Sequence, residues 1–379
     1  APATRELTIT EATTTMSADI RLLVGTKKGL FRLHGDAGMS RWSMDGPHIE
    51  GYEVIHTAAH PARPGTFYAA VTHPVWGAHI YASRDGGGTW ASLAGVPRHE
   101  DDRYGTDLKS IWYLAHTPDG RRMYAGIDPA GLFFSDDEGE TWQPADGLND
   151  HPTNVSWEPS RGIFAVHSIH IDPADPTRVW AAISAGGVYR SEDGGQSWRP
   201  ANTGVRAENL PNRFPETGHN VHRLVMHPRQ SSRLYRQCYN GTYRSDDGGD
   251  TWTEITAGLP SDFGYALVTD PADPDTVFQI PESSSHLRAP VDGRLRVFQS
   301  RDAGASWASV SRGLPQEHVY VTVLREAMDA DDRAPCGLYF GTSGGHLFAA
   351  PEAGAEWRMI AGFLPRILSV KAHSISEGR

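Results

Sequence analysis

Apolar and polar positions alternate along most of the chain in short bursts, each closed by a turn. Val166-His-Ser-Ile-His-Ile171 is followed by Asp172-Pro-Ala-Asp-Pro176, then by Arg178-Val-Trp-Ala-Ala-Ile183, Gly186-Gly-Val-Tyr-Arg190 and Trp198-Arg-Pro. A period of two over a few residues marks strands, and Asp-Pro and Gly-Gly mark the turns between them. The unit therefore reads as four short antiparallel strands, A to D.

Between C and D lies Ser191-Glu-Asp-Gly-Gly-Gln-Ser-Trp198, and this octapeptide repeats. Other copies are Ser83–Trp90, Ser135–Trp142, Ser245–Trp252 and Ser300–Trp307, with worn copies ending at Trp42 and Trp357. The closing tryptophans at 42, 90, 142, 198, 252, 307 and 357 stand 48 to 56 residues apart. In each copy the third-position Asp can accept hydrogen bonds from amides of its own turn, the fifth-position Gly can take positive φ, and the Trp can bury a large apolar face. The boxes are thus hairpin corners, and none of their Asp residues is a catalytic candidate.

A repeat of about 50 residues with four antiparallel strands describes a propeller blade. Strand A is expected near 54–59, 109–115, 166–171, 221–226, 264–269 and 319–324, which serves six units. The first unit, beginning at Arg21, has no strand A before it. Arg366-Ile-Leu-Ser-Val-Lys371 at the other end can supply one, which would leave no open edge between the first and last blades. The expectation is an all-β, seven-bladed β-propeller over residues 20–373, with polar tails at 1–19 and 374–379. Residues 1–15 read as an extension before an alternative start at Met16 or as a disordered tail, not as a signal peptide.

Composition narrows the partners. The formal net charge of −11 argues against a phosphate-backbone binder, and no apolar stretch is long enough for a membrane helix. Two cysteines, Cys238 and Cys336, provide neither a disulfide framework nor zinc-ligand spacing. A cytoplasmic location is the expectation, with secretion as the alternative.

The boxes resemble Asp-box (BNR) repeats, found in sialidases, sortilin-type receptors and some glycoside hydrolases. Leu23-Val-Gly-Thr-Lys-Lys-Gly-Leu-Phe31, Tyr124–Phe133, Gly218-His-Asn-Val-His222, Ser261-Asp-Phe-Gly-Tyr265 and Leu324-Arg-Glu-Ala-Met328 are similar to stretches of bacterial single-domain BNR/WD40/YVTN-like proteins, often labelled glycosyl hydrolase or exo-α-sialidase. The resemblance implies a hydrolase of glycoside-like molecules. The sialidase signature has only the echo Phe31-Arg32-Leu33-His34, which lacks its proline, and this argues against sialidase chemistry itself. Arg223, Arg325 and Arg366 fall on expected inner strands without forming a readable triad.

Function on a propeller is grafted on the face built by D-to-A and B-to-C connections. Long D-to-A segments at 91–108, 143–165 and 199–220 carry His99, Asp101, Arg103, Tyr104, Asp107, Glu158, Arg161, Arg213 and Glu216, and the B-to-C loop near 281–294 carries Glu282, His286 and Arg288. Asp107, Tyr265, Trp76, Arg213 and Arg223 are candidate contacts to a small polar ligand of carbohydrate type. Counting back five from the residue that opens each A-to-B turn aligns Ile55, Ile111, His167, His222 and Tyr265 on successive blades. His167, His219 and His222 could hold a divalent metal at the mouth. Alternatively, Asp262, Glu317 or Glu216 could serve as acid and base in glycoside cleavage. A non-catalytic propeller that binds a ligand or a protein partner is the competing reading.

Overall fold

In the computed structural model, which describes residues 19–100, 107–157, 164–208 and 210–375, seven four-stranded antiparallel sheets make a seven-bladed β-propeller. Its inner strands, taken blade by blade, are Ile367–Ile375, Glu53–Ala59, Ser110–His116, Val166–Ile171, Val221–His227, Phe263–Thr269 and Met328–Ala330. Residues 1–18 of the expected tail, and Asp101, Arg103, Tyr104, Glu158 and Arg161, lie outside the described residues.

Blade 1 is closed as the sequence pattern requires. Ile367–Ile375 pairs antiparallel with Asp19–Thr26 from Asp19 opposite Ile375 to Thr26 opposite Ile367, and Leu23 faces Lys371. The ring thus has its first and last segments in one sheet. Outer strands are short, only two residues in five blades, for example Ala91–Ser92 and Thr253–Glu254. Short outer strands leave little unpaired edge for another chain to join.

The octapeptide turns work as their chemistry predicts. Ser191 Oγ accepts from Gly195 N at 2.8 Å and donates to Asp193 Oδ1, which also accepts from the amides of Gln196 and Ser197. Gly195 sits at φ +92°, and an added Cβ there would clash with nothing, so backbone conformation alone selects glycine. The fourth position is left-handed too, and Glu138 and Ala303 occupy it at φ +64° and +57°. The tryptophans divide into two groups. Trp90, Trp142 and Trp198 donate to the carbonyl three residues back, within their own turn. Trp252, Trp307 and Trp357 instead donate to Ala201, Ile255 and Val310 of the preceding blade. The same motif thus closes a hairpin in some blades and joins neighbouring blades in others.

The sixth expected strand A is corrected. Residues 319–324 form no strand, and the inner strand of blade 7 is Met328–Ala330. Asp331 opens the following turn, with its amide donating to Gly337 O, as Asp172 donates to Arg178 O and Asp270 to Thr276 O. The segment 315–327 crosses to the channel mouth instead, and Val370 N donates to Glu326 O at 2.8 Å, tying it to blade 1. Cys238 and Cys336 are both buried and unbridged.

Candidate functional site at the channel mouth

The inner strands share an irregularity at their mouth ends. Pairing slips by one residue at Ile55, Trp112, His167, His222 and Tyr265, and again at Leu368. Each is a β-bulge, in which the extra residue leaves the ladder and its side chain is re-aimed. Counting back five from Asp331 in blade 7 gives Glu326, the corresponding position there. One residue from every blade therefore forms a ring: Ile55, Trp112, His167, His222, Tyr265, Glu326 and Leu368.

The count along the sequence reached four of these seven. In blade 3, counting from His116 gives Ile111. The opener is Thr117, whose amide donates to Arg122 O, and five back from it is Trp112. The expected Ile111 instead pairs regularly with Ile127 and is fully buried. Glu326 was missed because blade 7's strand was placed too early. The cue for both was present: an opener that caps its own turn, as Asp331 Oδ1 does by accepting from Arg333 N at 3.1 Å.

Five of the seven, Ile55, Trp112, Tyr265, Glu326 and Leu368, line a cavity of about 300 Å³. Trp112, Tyr265 and Glu326 line it together with Arg288, Arg325 and Arg366. Arg325 is 7% exposed, and its guanidinium lies 5.1 Å from the Trp112 ring centroid and 5.8 Å from that of Tyr265. Burial lowers its pKa to about 10. Arg288 approaches the Tyr265 ring at 6.0 Å. Glu326, 2% exposed, ion-pairs with Arg223 and lies 3.9 Å from Lys371 Nζ. His56 Nδ1 accepts from Leu114 N, so its proton is on Nε2, 3.7 Å from Glu326 Oε2. Burial, with Lys371 and Arg223 nearby, drives the His56 pKa well down and keeps the ring neutral.

The expected metal set does not converge. His167 Nε2 donates to Val221 O at 2.9 Å, His222 Nδ1 to Gly264 O at 2.8 Å and His219 Nε2 to Val205 O at 3.0 Å. The first two stitch a blade to the next one, and His170 does the same to Leu224 O. Burial lowers the pKa of His222 and His219 to about 3 and holds His167 far below its ordinary value. Among the described residues no group of three or more His, Cys, Asp or Glu side chains is placed to hold a metal ion.

The other candidates are dispersed. Asp262, 44% exposed at its side chain, lies 3.4 Å from Arg206, and Glu216 and Glu317 are exposed; none of the three lines the cavity. Asp107 and Trp76 line a separate groove with Arg98 and His99. Arg213 is exposed and pairs with Glu208 at 3.2 Å. Arg223 belongs to the floor through Glu326, and Tyr265 lies in the ring, stacked on His222 at 4.6 Å. The mouth loops also hold strained and exposed residues. Arg288, His318 and Phe363 have φ of +49°, +56° and +59°, and Phe363 is almost wholly exposed. Such backbone strain clusters at functional sites.

Residues 131–285 match the family model described as Sortilin-Vps10, sortilin, neurotensin receptor 3. The chain is 28% identical over 267 residues to the xyloglucanase Xgh74A of Acetivibrio thermocellus, covering 62% of this chain and 30% of that protein. A xyloglucanase of Paenibacillus is 28% identical over 215 residues, 50% of this chain and 20% of the relative. The chain thus matches less than a third of the length of either relative. Among solved structures, the Niastella koreensis GH74 enzyme superposes with a TM-score of 0.59 at 19% identity, over 89% of this chain and 51% of that one. A protein from Lactobacillus plantarum gives 0.58 at 14%, over 93% and 99%. At these identities the structural likeness establishes the fold. The sequence relatives bearing an activity name are propellers of the glycoside hydrolase kind.

Proposed function

We propose that the channel mouth binds a carbohydrate and that the chain is a glycosidase-like hydrolase acting there, with Glu326 as the carboxylate at the reacting centre. The observation that carries this reading is that Trp112, Tyr265 and Glu326 meet on one ring around one cavity. Flat aromatic faces suit the apolar faces of sugar rings, and a carboxylate among them suits an oxocarbenium-like transition state. The xyloglucanase relatives support the same class of substrate.

A binding role without turnover is favoured by one observation. The two carboxylates lining the cavity, Glu53 and Glu326, are both ion-paired, to Lys27 at 2.8 Å and to Arg223. Among the described residues, neither lining carboxylate stands free to act as acid.

The test is turnover and binding of oligosaccharides and aryl glycosides by the purified chain. Hydrolysis that Glu326→Gln abolishes, with Trp112→Ala weakening binding and the rim variants Asp262→Asn and Glu317→Gln near wild type, supports the hydrolase. Binding lost in Trp112→Ala without turnover of any substrate supports the second reading. Binding unaffected by Trp112→Ala would remove the mouth as the site.

A further inference from the structure

Among the described residues, Arg325 is a buried cation without a counter-ion. Its Nη1 is buried with no hydrogen-bond partner, and among the described residues no carboxylate lies within 4.0 Å of its guanidinium. Arg288 and Arg366 line the same cavity and likewise form no ion pair among the described residues. The lining carboxylates do not compensate them, since Glu53 is held by Lys27 and Glu326 by Arg223. Glu282, close enough to feel Arg288 and Arg366, is pushed up to about 8 by its own burial and is largely neutral at pH 7.

Burying a guanidinium is expensive unless a charge or hydrogen-bond acceptors meet it. Here the planar group lies against the rings of Trp112 and Tyr265 at the wall of the cavity. A guanidinium fork matches a carboxylate with two parallel hydrogen bonds. We propose that the ligand of the mouth carries a carboxylate that docks on Arg325, flanked by Arg288 and Arg366, with its sugar ring on Trp112 and Tyr265. The class is a uronate-bearing oligosaccharide. This rests on the mouth being the carbohydrate site and adds the acidic group to that reading.

The experiment compares tetramers of galacturonate, glucuronate and mannuronate with their carboxyl-reduced, neutral counterparts by calorimetric titration. At least one acidic tetramer should bind about tenfold or more tighter than its reduced form, with a preference that weakens as salt rises. Arg325→Gln should erase that preference. Arg366→Gln, at an exposed position where folding is not at stake, should reduce it severalfold. A preference that survives both substitutions, or acidic and reduced forms bound equally, overturns the proposal. If the equal binding is also lost in Trp112→Ala, the carbohydrate site stands without its acidic selectivity. If none of the tetramers binds, both readings fall.

Discussion

Arg223 and Glu326 are ion-paired across the channel, the first from the inner strand of blade 5 and the second from the segment that enters blade 7. Both side chains are about 5% exposed or less. The pair therefore couples two non-adjacent blades at the cavity floor, and burial of Arg223 lowers its pKa. Breaking a buried pair from one side strands the other charge, at a typical cost of about 3–5 kcal/mol. Arg223→Met should lower unfolding stability in urea by about that amount. Arg223→Met with Glu326→Gln should recover most of the loss. Additive losses in the double variant would show that the two residues act independently.

The Ser-x-Asp turns should contribute stability without touching the ligand. Asp247 accepts from Thr251 N at 2.9 Å and from the hydroxyls of Ser245 and Thr251. Asp247→Ala should cost about 1–3 kcal/mol, the range for stranding partly buried donors. Oligosaccharide binding at the opposite face should be unchanged. A selective loss of binding at constant stability would give this Asp a functional role.

Acid should unfold the propeller early because several of its buried histidines are neutral. His222 and His219 have pKa values lowered to about 3, and His116, His170 and His373 to about 4, all chiefly by burial. In the unfolded chain these rings take up protons near pH 6.5, while the native ones do not. Their contribution is thus present above pH 6.5 and is lost as pH falls through 6.5 toward 3–4. Denaturant melts at pH 7, 6, 5 and 4 should show a steep monotonic loss. His222→Phe should flatten the slope.

Glu282 has the opposite sign. Its native pKa of about 8 exceeds the unfolded value, so its contribution is fully present below about pH 4.5 and is lost as pH rises through 8. Glu282→Gln, which keeps the shape without the charge, should melt close to wild type at pH 4.5 and increasingly above it as pH rises to 9. Equal melting at both pH values would show that this carboxyl is not buried and protonated as described.

Closure by the last strand predicts an asymmetry between cuts. A chain ending at Leu364 loses the pairing partner of Asp19–Thr26 and exposes its apolar row, including the fully buried Leu22 and Val24. It should aggregate or populate an open, protease-sensitive state. A circular permutant joining Asp19 to Ile375 through a linker and opening in the loop near Ser261, between whole blades, should fold with circular dichroism like the parent's. Equal behaviour of the two in limited proteolysis would contradict closure by Ile367–Ile375.

Much of the architecture was written locally. Each box carries its own Asp acceptor, left-handed Gly and covering Trp, so seven Trp-terminated turns and the strands they join could be read one at a time. Strand pairing at the two chain ends followed from the same arithmetic, because Arg21–Thr26 lacked an inner partner and Ile367–Lys371 lacked a blade. The site was less accessible for a specific reason. Strand alternation says which face a side chain takes only while the ladder is regular, and every ring residue except Glu326 sits on a bulge that breaks it. One slipped residue moved the candidate from Trp112 to Ile111. The missing strand near 319–324 hid Glu326 in the same way.

The amino-acid order by itself determined the repeat, the blade number and the closure of the ring, because those depend on turn chemistry and hydrophobic period within about 50 residues. Only the tertiary structure decided which side chains meet. Trp112, Tyr265, Arg325 and Glu326 come from three blades, and their convergence depends on ring geometry and on bulges that no local pattern encodes. The imidazoles show the converse. His167 and His222 are equivalent in sequence and both face a neighbouring backbone carbonyl, because a buried ring in a packed interface satisfies its proton on the nearest acceptor rather than on a distant ion.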